Sequence, residues 1–431
     1  MDIKGKKIMF LGGSGLDACA VKRAKELGLT TIVANWYDVD RAPAKAIADE
    51  AWKVDFSNTE NMVKLIKENH VDGIFVGWTD SHLQHYVDIC NKAGLPCCGT
   101  AEQFEVLSNN KKKFKEICIK HNIPVVKDYK MSIDFSPEDL FHVVYPVIVK
   151  PADGSGGRGV KCCLNEKELI DHYRYLYDNN GPNIICEKYI DTKREIFLNY
   201  TIIDSEAHLA ASYMSFNSKR DDGKDGPAIL HVYPSSYTKQ YQETVEPQVI
   251  NMIKDIGLKN CVLSLQGFVL DDGFVFHETG LRMGGGQSYV FTKLLNGVSA
   301  LDQMLEFTVT GKVSQYNCKN SDNPYFSKYG VNYYISLKTG KIQEISGVEE
   351  VNDMPQVIQM STYHKIGDEI IEGSSLDSVI YRLHVMDDTP QDLARTLEKI
   401  SNTFCIRDQN GNEMQVERLT YDRALEMISN S

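Results

Sequence analysis

A lysine followed by a glycine-rich loop is the segment of this chain with the most specific chemistry. Residues 145–160 read Tyr-Pro-Val-Ile-Val-Lys-Pro-Ala-Asp-Gly-Ser-Gly-Gly-Arg-Gly-Val, so that Lys150 ends a short apolar strand. The glycines allow backbone N–H groups to turn toward phosphate oxygens, while Lys150 and Arg158 add positive charge. A Walker loop carries its lysine after the glycines, whereas Lys150 precedes them. The segment therefore predicts a phosphate-binding cover of another kind.

Three further segments combine apolar runs with regularly placed polar residues. The first runs from Cys98 to Lys111 and is followed by a helical pattern and Asn122-Ile-Pro124. The second is Ile184-Ile-Cys-Glu-Lys-Tyr-Ile190, followed by Arg194-Glu195. The third begins at Gln266, continues to Glu278 and Arg282, and then runs into three glycines. None of these segments identifies a function alone, but their order along the chain is informative.

In this order and spacing, the four segments resemble the ATP-grasp superfamily of carboxylate–amine ligases. Its members include biotin carboxylase, the carbamoyl-phosphate synthase large subunit and purine-biosynthesis ligases. The resemblance covers nearly the whole chain and implies an α/β and α+β fold. It predicts a Rossmann-like domain at 1–105, an ATP-grasp domain at 106–316 and a small α+β domain at 325–431. ATP is expected between the two α+β subdomains of the central domain, one of which is a lid at about 125–187.

The resemblance also implies a set of nucleotide contacts. Lys111 matches the first phosphate lysine of the family, with Lys112 and Lys113 as open alternatives, and Lys150 matches the second. The loop that covers the phosphates corresponds to Gly154, Ser155, Gly156, Gly157 and Arg158. The hinge that contacts adenine corresponds to Glu187, Lys188, Tyr189 and Ile190, and the ribose contact corresponds to Glu195.

A metal ion and a catalytic arginine are implied by the third segment. Glu278 matches a carboxylate that holds Mg²⁺ or Mn²⁺, since these cations favour oxygen ligands. Gln266 stands where most relatives have a second metal-binding carboxylate, and its amide oxygen can ligate without adding charge. Gly280 replaces the usual asparagine ligand, so one or two metal ions remain possible. Arg282 and Lys150 are the expected catalytic residues, because they can stabilise the transferred phosphoryl group.

The implied reaction joins two small molecules. A carboxylate attacks the γ-phosphate of ATP to give an acylphosphate, which an amine or, less often, a thiol then attacks. His231, Arg282 and Gly285 are candidate substrate contacts. Relatives are often homodimers, so a homodimer is compatible with the resemblance.

Two other functions stay open on the sequence. Gln266 is compatible with a catalytically silent relative that binds ATP without turning it over. An NAD(P)-dependent oxidoreductase rests on Gly12-Gly-Ser-Gly-Leu-Asp-Ala18, with Asp38 after the next strand. A single match to this fingerprint is weak support for a dinucleotide site.

Composition restricts the class of protein. Over 431 residues, hydrophobic content is 42% and charged content 25%, which is typical of soluble globular proteins. The net charge of -12 argues against nucleic-acid or anionic-membrane partners. No apolar run reaches the roughly 20 residues of a membrane span, and no signal peptide is evident at the N-terminus. Eleven cysteines without Cys-x-x-Cys spacing indicate reduced thiols and a cytoplasmic protein.

The elements that must position these residues follow from periodicity. Strands and helices alternate over the first 105 residues, which predicts a mostly parallel sheet. Antiparallel pairs are expected at 204–218 and 263–278, and hairpins at 333–345 and around Asn410-Gly411. Predicted strands are 7–11, 30–34 and 73–76; predicted helices are 18–28, 60–69, 83–93, 114–121, 299–310 and 390–400; a linker is predicted at 317–324.

Overall fold

The computed structural model describes residues 2–154, 157–192, 194–220, 225–314, 322–371 and 377–431. They form a mixed fold of helices and four sheets, which confirms the predicted mixture of α and β structure. Within these ranges, no helix has both the length and the apolar composition needed to cross a membrane.

A parallel four-stranded sheet lies at the N-terminal end of the chain, as predicted. Its strands are β1 (Lys7–Leu11), β2 (Thr30–Asn35), β3 (Glu50–Lys53) and β4 (Gly73–Phe75), and its helices are α1 (Gly15–Glu26), α2 (Pro43–Ile47), α3 (Thr59–Glu68) and α4 (Leu83–Ala93). The strand order is β3-β2-β1-β4. Helix α1 begins three residues before the predicted Ala18, because Ser14 caps it and Asp17 completes a capping box.

Both faces of this sheet are covered, because successive side chains of a strand point to opposite sides. Ile8 and Phe10 of β1 belong to the apolar cluster that includes Val21 of α1. Met9 and Leu11 belong to the cluster on the other side, which includes residues of α3 and α4. Because helices cover both faces, the loops at the carboxyl ends of the strands are the part of this sheet that is open to ligands.

A second four-stranded sheet carries the glycine-rich loop. Its elements are α5 (Ala101–Phe104), α6 (Lys111–Lys120), β5 (Asp128–Tyr129), α7 (Pro137–Phe141), β6 (Val147–Pro151), β7 (Lys161–Cys163), α8 (Glu166–Asn180) and β8 (Ile184–Lys188). The order is β5-β8-β6-β7, with antiparallel pairing throughout. Lys150 stands near the end of the central strand β6, and the loop of residues 154–159 leads from β6 to β7.

The remaining strands form one large and one small sheet. They are β9 (Glu195–Ile203), β10 (Glu206–Lys219), β11 (Asp225–Tyr233), β12 (Cys261–Leu270), β13 (Gly273–Gly280), β14 (Tyr329–Ser336), β15 (Gly340–Ser346), β16 (Val357–Thr362), β17 (Glu369–Ile370), β18 (Val379–Asp387) and β19 (Cys405–Asp408). The antiparallel eight-stranded sheet has the order β13-β12-β9-β10-β11-β14-β18-β16, and the small one β17-β15-β19. The accompanying helices are α9 (Thr238–Thr244), α10 (Glu246–Ile256), α11 (Tyr289–Asn296), α12 (Ala300–Thr310), α13 (Val348–Asn352), α14 (Pro390–Thr403) and α15 (Tyr421–Ser429).

The eight-stranded sheet joins the predicted central and C-terminal domains. Strand β11 pairs with β14, so Leu230 lies opposite Tyr333. The pairing places C-terminal strands in the same sheet as the strands around Glu278. The domain boundaries stay a prediction, and most of the predicted linker at 317–324 lies outside the described residues.

Two local predictions are wrong. The hairpin at 333–345 does not form, because β14 is almost fully buried and pairs with β11 and β18, while β15 joins the small sheet. Residues 204–218 are mostly the single strand β10 and not a pair. The hairpin predicted around Asn410-Gly411 is confirmed, because Arg407 forms an antiparallel bridge with Glu413 and the N–H of Met414 donates to Ile406 O at 3.0 Å. The predicted pair at 263–278 is confirmed as β12 and β13.

Candidate functional site

A cavity of about 830 Å³ lies where the sheet of β5–β8 faces the β13 end of the eight-stranded sheet. Such a volume is typical of small-molecule sites. Distant segments meet here because β6, β8 and β13 each bring their C-terminal ends to the cavity. The wall includes most of the predicted nucleotide contacts: Lys111, Lys150, Gly154, Gly157, Arg158, Glu187, Lys188, Tyr189, Ile190, Glu195 and Glu278.

Lys150 is part of a buried cluster of charges. Its Nζ lies 2.5 Å from Glu187 Oε1, and Nζ of Lys115 lies 2.7 Å from Glu187 Oε2. Lys115 also pairs with Asp128 and donates to Val126 O at 3.0 Å. Burial raises the pKa of Glu187, but Lys150 and Lys115 outweigh this effect and hold that pKa below its usual value. Glu187 is therefore a carboxylate that fixes both lysines at neutral pH.

Lys111 is the cavity lysine among the three adjacent candidates. It begins helix α6, is 8% exposed, and donates from Nζ to Gly154 O at 2.5 Å. The same Nζ lies 3.1 Å from Glu278 Oε1. Lys113 is exposed, and neither Lys112 nor Lys113 lines the cavity.

The hinge after β8 presents one backbone donor to the cavity. The N–H of Lys188 donates to Lys127 O at 2.9 Å, and that of Tyr189 donates to Pro146 O at 3.3 Å. In the part of the chain that is described, the N–H of Ile190 has no recorded protein acceptor. Of these N–H groups, that of Ile190 is the one left to bind the edge of a base.

The glycine loop requires backbone conformations that favour glycine. Gly157 and Gly159 both have φ of +73°, on either side of Arg158. A Cβ at Gly157 would meet nothing within 4 Å, whereas at Gly159 it would lie 3.0 Å from Pro151. The predicted contacts Ser155 and Gly156 lie outside the described residues.

Glu195 and two aromatic rings occupy another part of the cavity wall. Glu195 begins β9, and its Oε1 lies 3.6 Å from His277 Nε2. The ring of His277 stacks on Phe268 with centroids 4.9 Å apart and planes inclined by 24°. The group combines a carboxylate with apolar ring surface, which suits a nucleoside.

The predicted metal ligands Glu278 and Gln266 lie side by side. They are opposite one another in the antiparallel pair of β12 and β13, so their side chains share one face of the sheet. Burial raises the pKa of Glu278, but Lys111 and His277 outweigh it and keep that pKa below the usual value. No group of three His, Cys, Asp or Glu side chains able to hold a metal occurs among the described residues. The pair supplies two oxygen donors but one negative charge, which fits Mg²⁺ whose other ligands are phosphate oxygens and water.

Arg282 lies outside this cavity and is bound to the N-terminal sheet region. Its Nε and Nη2 donate to the two carboxylate oxygens of Asp80 at 2.6 and 2.8 Å. Its Nη1 donates to Met283 O at 3.2 Å. Asp80 also lines a second cavity of about 530 Å³, together with Gly154 and Arg158 of the glycine loop. Arg282 therefore contacts a residue, Asp80, that lines the second cavity together with the glycine loop.

The other two predicted substrate contacts lie apart from the large cavity. His231 of β11 forms a hydrogen bond through Nδ1 with the hydroxyl of Tyr334 at 3.0 Å. Burial and the nearby Arg382 lower the pKa of His231 to about 3, so it is neutral at pH 7. Gly285 is exposed, and a Cβ added there would meet nothing within 4 Å.

In the glycine loop near the N-terminus, the side chain of Asp17 occupies the backbone N–H groups. The carboxylate of Asp17 accepts from the N–H groups of Gly13 and Ser14 at 2.8 and 2.9 Å, and from Ser14 Oγ at 2.8 Å. A dinucleotide phosphate would need these N–H groups. Asp38 is exposed and pairs with Lys53. The arrangement gives no support to an NAD(P) site.

Several residues of the site were not found from the sequence. Lys115 lies one helical turn after Lys111, so i, i+4 spacing within the lysine-rich segment was an available signal. Asp80 lies in a short helical turn just before α4. No sequence pattern connects it with Arg282, which lies more than 200 positions later in the chain. The residues concerned are Asp80, Lys115, Asp128, His277 and Arg382.

The segment that carries Lys111 and Lys150 matches a known protein family. Residues 110–274 match the family model described as carbamoyl-phosphate synthase L chain, ATP binding domain. The match begins one residue before Lys111, includes Lys150 and Glu187, and ends before Glu278.

Two curated relatives show how far the sequence similarity extends. The chain is 28% identical over 212 residues to the 2-oxoglutarate carboxylase small subunit of Hydrogenobacter thermophilus, covering 44% of each protein. It is 23% identical over 265 residues to the formate-dependent phosphoribosylglycinamide formyltransferase of Sulfurisphaera tokodaii, covering 58% of this chain and 64% of the relative. The matched regions span less than two thirds of the length of both relatives.

Solved structures show the same fold over nearly all of the chain. The L-amino acid ligase of Bacillus licheniformis superposes with a TM-score of 0.76 at 18% identity, covering 94% of this chain and 100% of that one. Phosphoribosylglycinamide synthetase of Anaerococcus prevotii gives 0.73 at 20% identity, with the same coverage. The resemblance predicted from the sequence is confirmed, since residues 110–274 match the ATP-binding domain of one of its members.

Proposed function

We propose that this protein is an ATP-dependent ligase that joins a carboxylate to an amine, or less often a thiol, through an acylphosphate. The observation that carries the proposal is the convergence of Lys111, Lys150 and Glu278 with the glycine loop on one cavity. ATP would lie between the sheet of β5–β8 and the eight-stranded sheet. Its base would meet the Ile190 N–H, its ribose would lie near Glu195, and its phosphates would lie beneath the glycine loop.

Lys111 and Lys150 are each paired with a carboxylate. Lys150 is paired with Glu187, and Lys111 with Glu278. A triphosphate would compete with Glu278 for Lys111, which releases Glu278 to ligate a cation. Exchange of partners keeps every charge paired in the bound state, and buried charges are stable only when paired.

Glu278 and Gln266 would hold Mg²⁺ or Mn²⁺, and this ion would supply positive charge against the β- and γ-phosphate oxygens. A second ion is not required by these two ligands. Lys111 and Lys150 would neutralise the remaining phosphate charge. The glycine loop would exclude water from the acylphosphate, which water otherwise hydrolyses.

The reaction balances in two steps. A carboxylate oxygen bonds to the γ-phosphorus as its bond to the β-γ bridging oxygen breaks, which gives an acylphosphate and ADP. The amine nitrogen then bonds to the acyl carbon, phosphate leaves with the former carboxylate oxygen, and the nitrogen loses a proton. Arg282 is bound to Asp80, which lines the second cavity, and it would stabilise charge on the leaving phosphate if one of its N–H donors were released from Asp80.

A silent ATP-binding relative is the competing account, and Gln266 is the observation that favours it. Phosphate release distinguishes the two, measured with ATP and Mg²⁺, then Mn²⁺, across a matrix of carboxylates and amines. The ligase predicts ADP and phosphate in equal amounts when both substrates are present. Raised thermal stability with ATP but no turnover for any pair would favour the silent relative. Stabilisation by NAD(P) and not by ATP would contradict both.

A further inference from the structure

A buried guanidinium without a counter-ion lies in the C-terminal part of the eight-stranded sheet. Arg382 of β18 is 5% exposed. Its Nη1 donates to Gln287 Oε1 at 3.1 Å, and its Nε has no hydrogen-bond partner within the described ranges of the chain. Among the described residues, no carboxylate forms an ion pair with it. The groups that raise the pKa of its guanidinium are the phenols of three tyrosines and the thiol of Cys19.

This arrangement differs from that of Arg282, which is partly buried. Arg282 has both oxygens of Asp80 within 2.8 Å. A buried charge is costly to maintain unless an opposite charge pairs with it, and proteins rarely keep one for structural reasons alone. Arg382 therefore has the properties of a group whose partner arrives from outside the chain.

The surroundings hold the guanidinium in one orientation. The ring centroid of Tyr334 lies 4.8 Å from its central carbon, and that of Tyr363 lies 6.0 Å away. Gln287 is fully buried, has a φ of +50°, and donates from Nε2 to the hydroxyl of Tyr289 at 2.7 Å. This bond fixes the amide so that Oε1 faces Arg382. The hydroxyl of Tyr363 is buried without a partner and is a second unused polar group here.

The position of Arg382 connects it to the proposed reaction centre. Gln287 follows Arg282 by five residues, through a loop in which Gly285 is exposed and open space lies beside it. The ring of Tyr334 beside Arg382 contacts that of His231 with centroids 4.9 Å apart, and the ring of His231 contacts that of Tyr213 with centroids 4.8 Å apart. On the other side, a Cβ at Gly15 would lie 2.7 Å from Tyr363, so the start of α1 borders the cluster.

We propose that Arg382 binds a carboxylate group that the reaction does not consume, carried by one of the two substrates. The inference rests on the proposed ligase function. A guanidinium presents N–H donors in a fixed fork that matches the two oxygens of a carboxylate. The carboxylate comes either from an amino acid that serves as the amine or from a dicarboxylic acid that is activated at its other end.

The test is the thermal stability of wild type, Arg382→Gln and Arg382→Lys with a panel of the proteinogenic amino acids and C3–C6 dicarboxylic acids. Matched amides that lack the free carboxylate, such as alaninamide and succinamate, are the control ligands. At least one carboxylate should raise the melting temperature of wild type. Its affinity should fall about 10- to 100-fold in Arg382→Gln, the loss of a charge-assisted hydrogen bond, and less in Arg382→Lys.

The two arms of the panel distinguish an amino acid from a dicarboxylic acid. The proposal is overturned if no member stabilises wild type more than Arg382→Gln, or if each amide binds as well as its carboxylate. Should Arg382→Gln fail to fold, Arg382→Lys alone decides, because it keeps the charge but loses the fork. Stabilisation by ATP is measured in parallel. Its absence in wild type would count against the proposed function, while carboxylate binding that depends on Arg382 would still stand.

Discussion

Glu278 is the residue on which the proposed metal chemistry of the cavity depends. It is the charged member of the Glu278–Gln266 pair, and it forms an ion pair with Lys111. Replacing its carboxylate with an amide would leave the site without a negative ligand for the cation. It would also leave Lys111 without its partner.

We predict that Glu278→Gln reduces phosphate release by at least about 100-fold, equivalent to roughly 2.7 kcal/mol of transition-state stabilisation. Glu105→Gln is the matched control, because Glu105 pairs with exposed Lys113 at 3.1 Å and does not line the cavity. Its turnover should equal that of wild type. Unchanged turnover in Glu278→Gln would contradict the assignment of this ligand.

Gln266 provides the complementary test at the same pair. We predict that Gln266→Glu retains activity or makes it more strongly dependent on Mg²⁺, because a second carboxylate adds the charge that the pair lacks. Titration of phosphate release with Mg²⁺ measures this. Loss of turnover with nucleotide binding intact would show that the amide itself is required.

Lys115 should matter more for stability than any exposed lysine of α6. Lys115 is 3% exposed and forms ion pairs with both Glu187 and Asp128. In Lys115→Met, each of these two carboxylates would lose an ion-pair partner. We predict a loss of about 3–5 kcal/mol in the free energy of unfolding, measured with urea. Lys113→Met removes an exposed pair and should cost less than about 1 kcal/mol. Equal effects of the two substitutions would refute the structural role of Lys115.

At the scale of elements, the site depends on strand ends that sequence periodicity locates well. The strands that carry Lys150 and Glu278 were predicted because apolar runs end at a charged residue beside glycines. Pairing between distant strands was not predictable in the same way. The failed hairpin at 333–345 illustrates this, since a local turn signal was overridden by burial of β14 between β11 and β18.

The short helical turn Asp80–His82 links the N-terminal sheet to the loop after β13. We predict that Asp80→Asn lowers kcat while changing the KM for ATP by less than about threefold, because Asp80 holds Arg282 but does not line the nucleotide cavity. Steady-state kinetics and thermal unfolding measure both parameters and the stability. A large rise in the KM for ATP in Asp80→Asn would instead show that Asp80 contributes to nucleotide binding.

At the scale of the whole molecule, the eight-stranded sheet brings C-terminal residues to both proposed ligand sites. Helix α15 contributes Arg423 and Glu426 to the nucleotide cavity, and β18 contributes Arg382. The sequence located Lys111, Lys150 and Glu278, which the structure brings to one cavity, because each lies in a contiguous motif. Their roles toward phosphate and metal stay predictions. Asp80 and Arg382 could not be found, because their roles arise from contacts between separate parts of the chain.

Two histidines of this sheet should make stability sensitive to mild acid. Burial and Arg382 lower the pKa of His384 to about 3, and the same causes lower the pKa of His231 to about 3. In the unfolded chain both titrate near about 6.5, so the unfolded state binds protons first as the pH falls. The free energy of unfolding should therefore decrease from about pH 6.5 downward, by up to about 2.7 kcal/mol per pH unit from both together.

Urea unfolding at pH 7, 6 and 5 measures this slope. His384→Leu should reduce the contribution of the two histidines by about half, because one proton fewer is bound on unfolding. His142→Gln is the control, since His142 is exposed. A slope that is the same in His384→Leu and in the control would contradict the neutral, buried state of His384.

The most direct test of the acylphosphate ligase is transfer of oxygen from substrate to phosphate. A carboxylate with ¹⁸O in both oxygens is supplied with its amine, ATP and Mg²⁺, and the released phosphate is analysed by mass spectrometry. The two-step mechanism predicts one ¹⁸O atom in each phosphate released, because the oxygen that attacks the γ-phosphorus leaves with it. Product formation with no ¹⁸O in the phosphate would contradict the account.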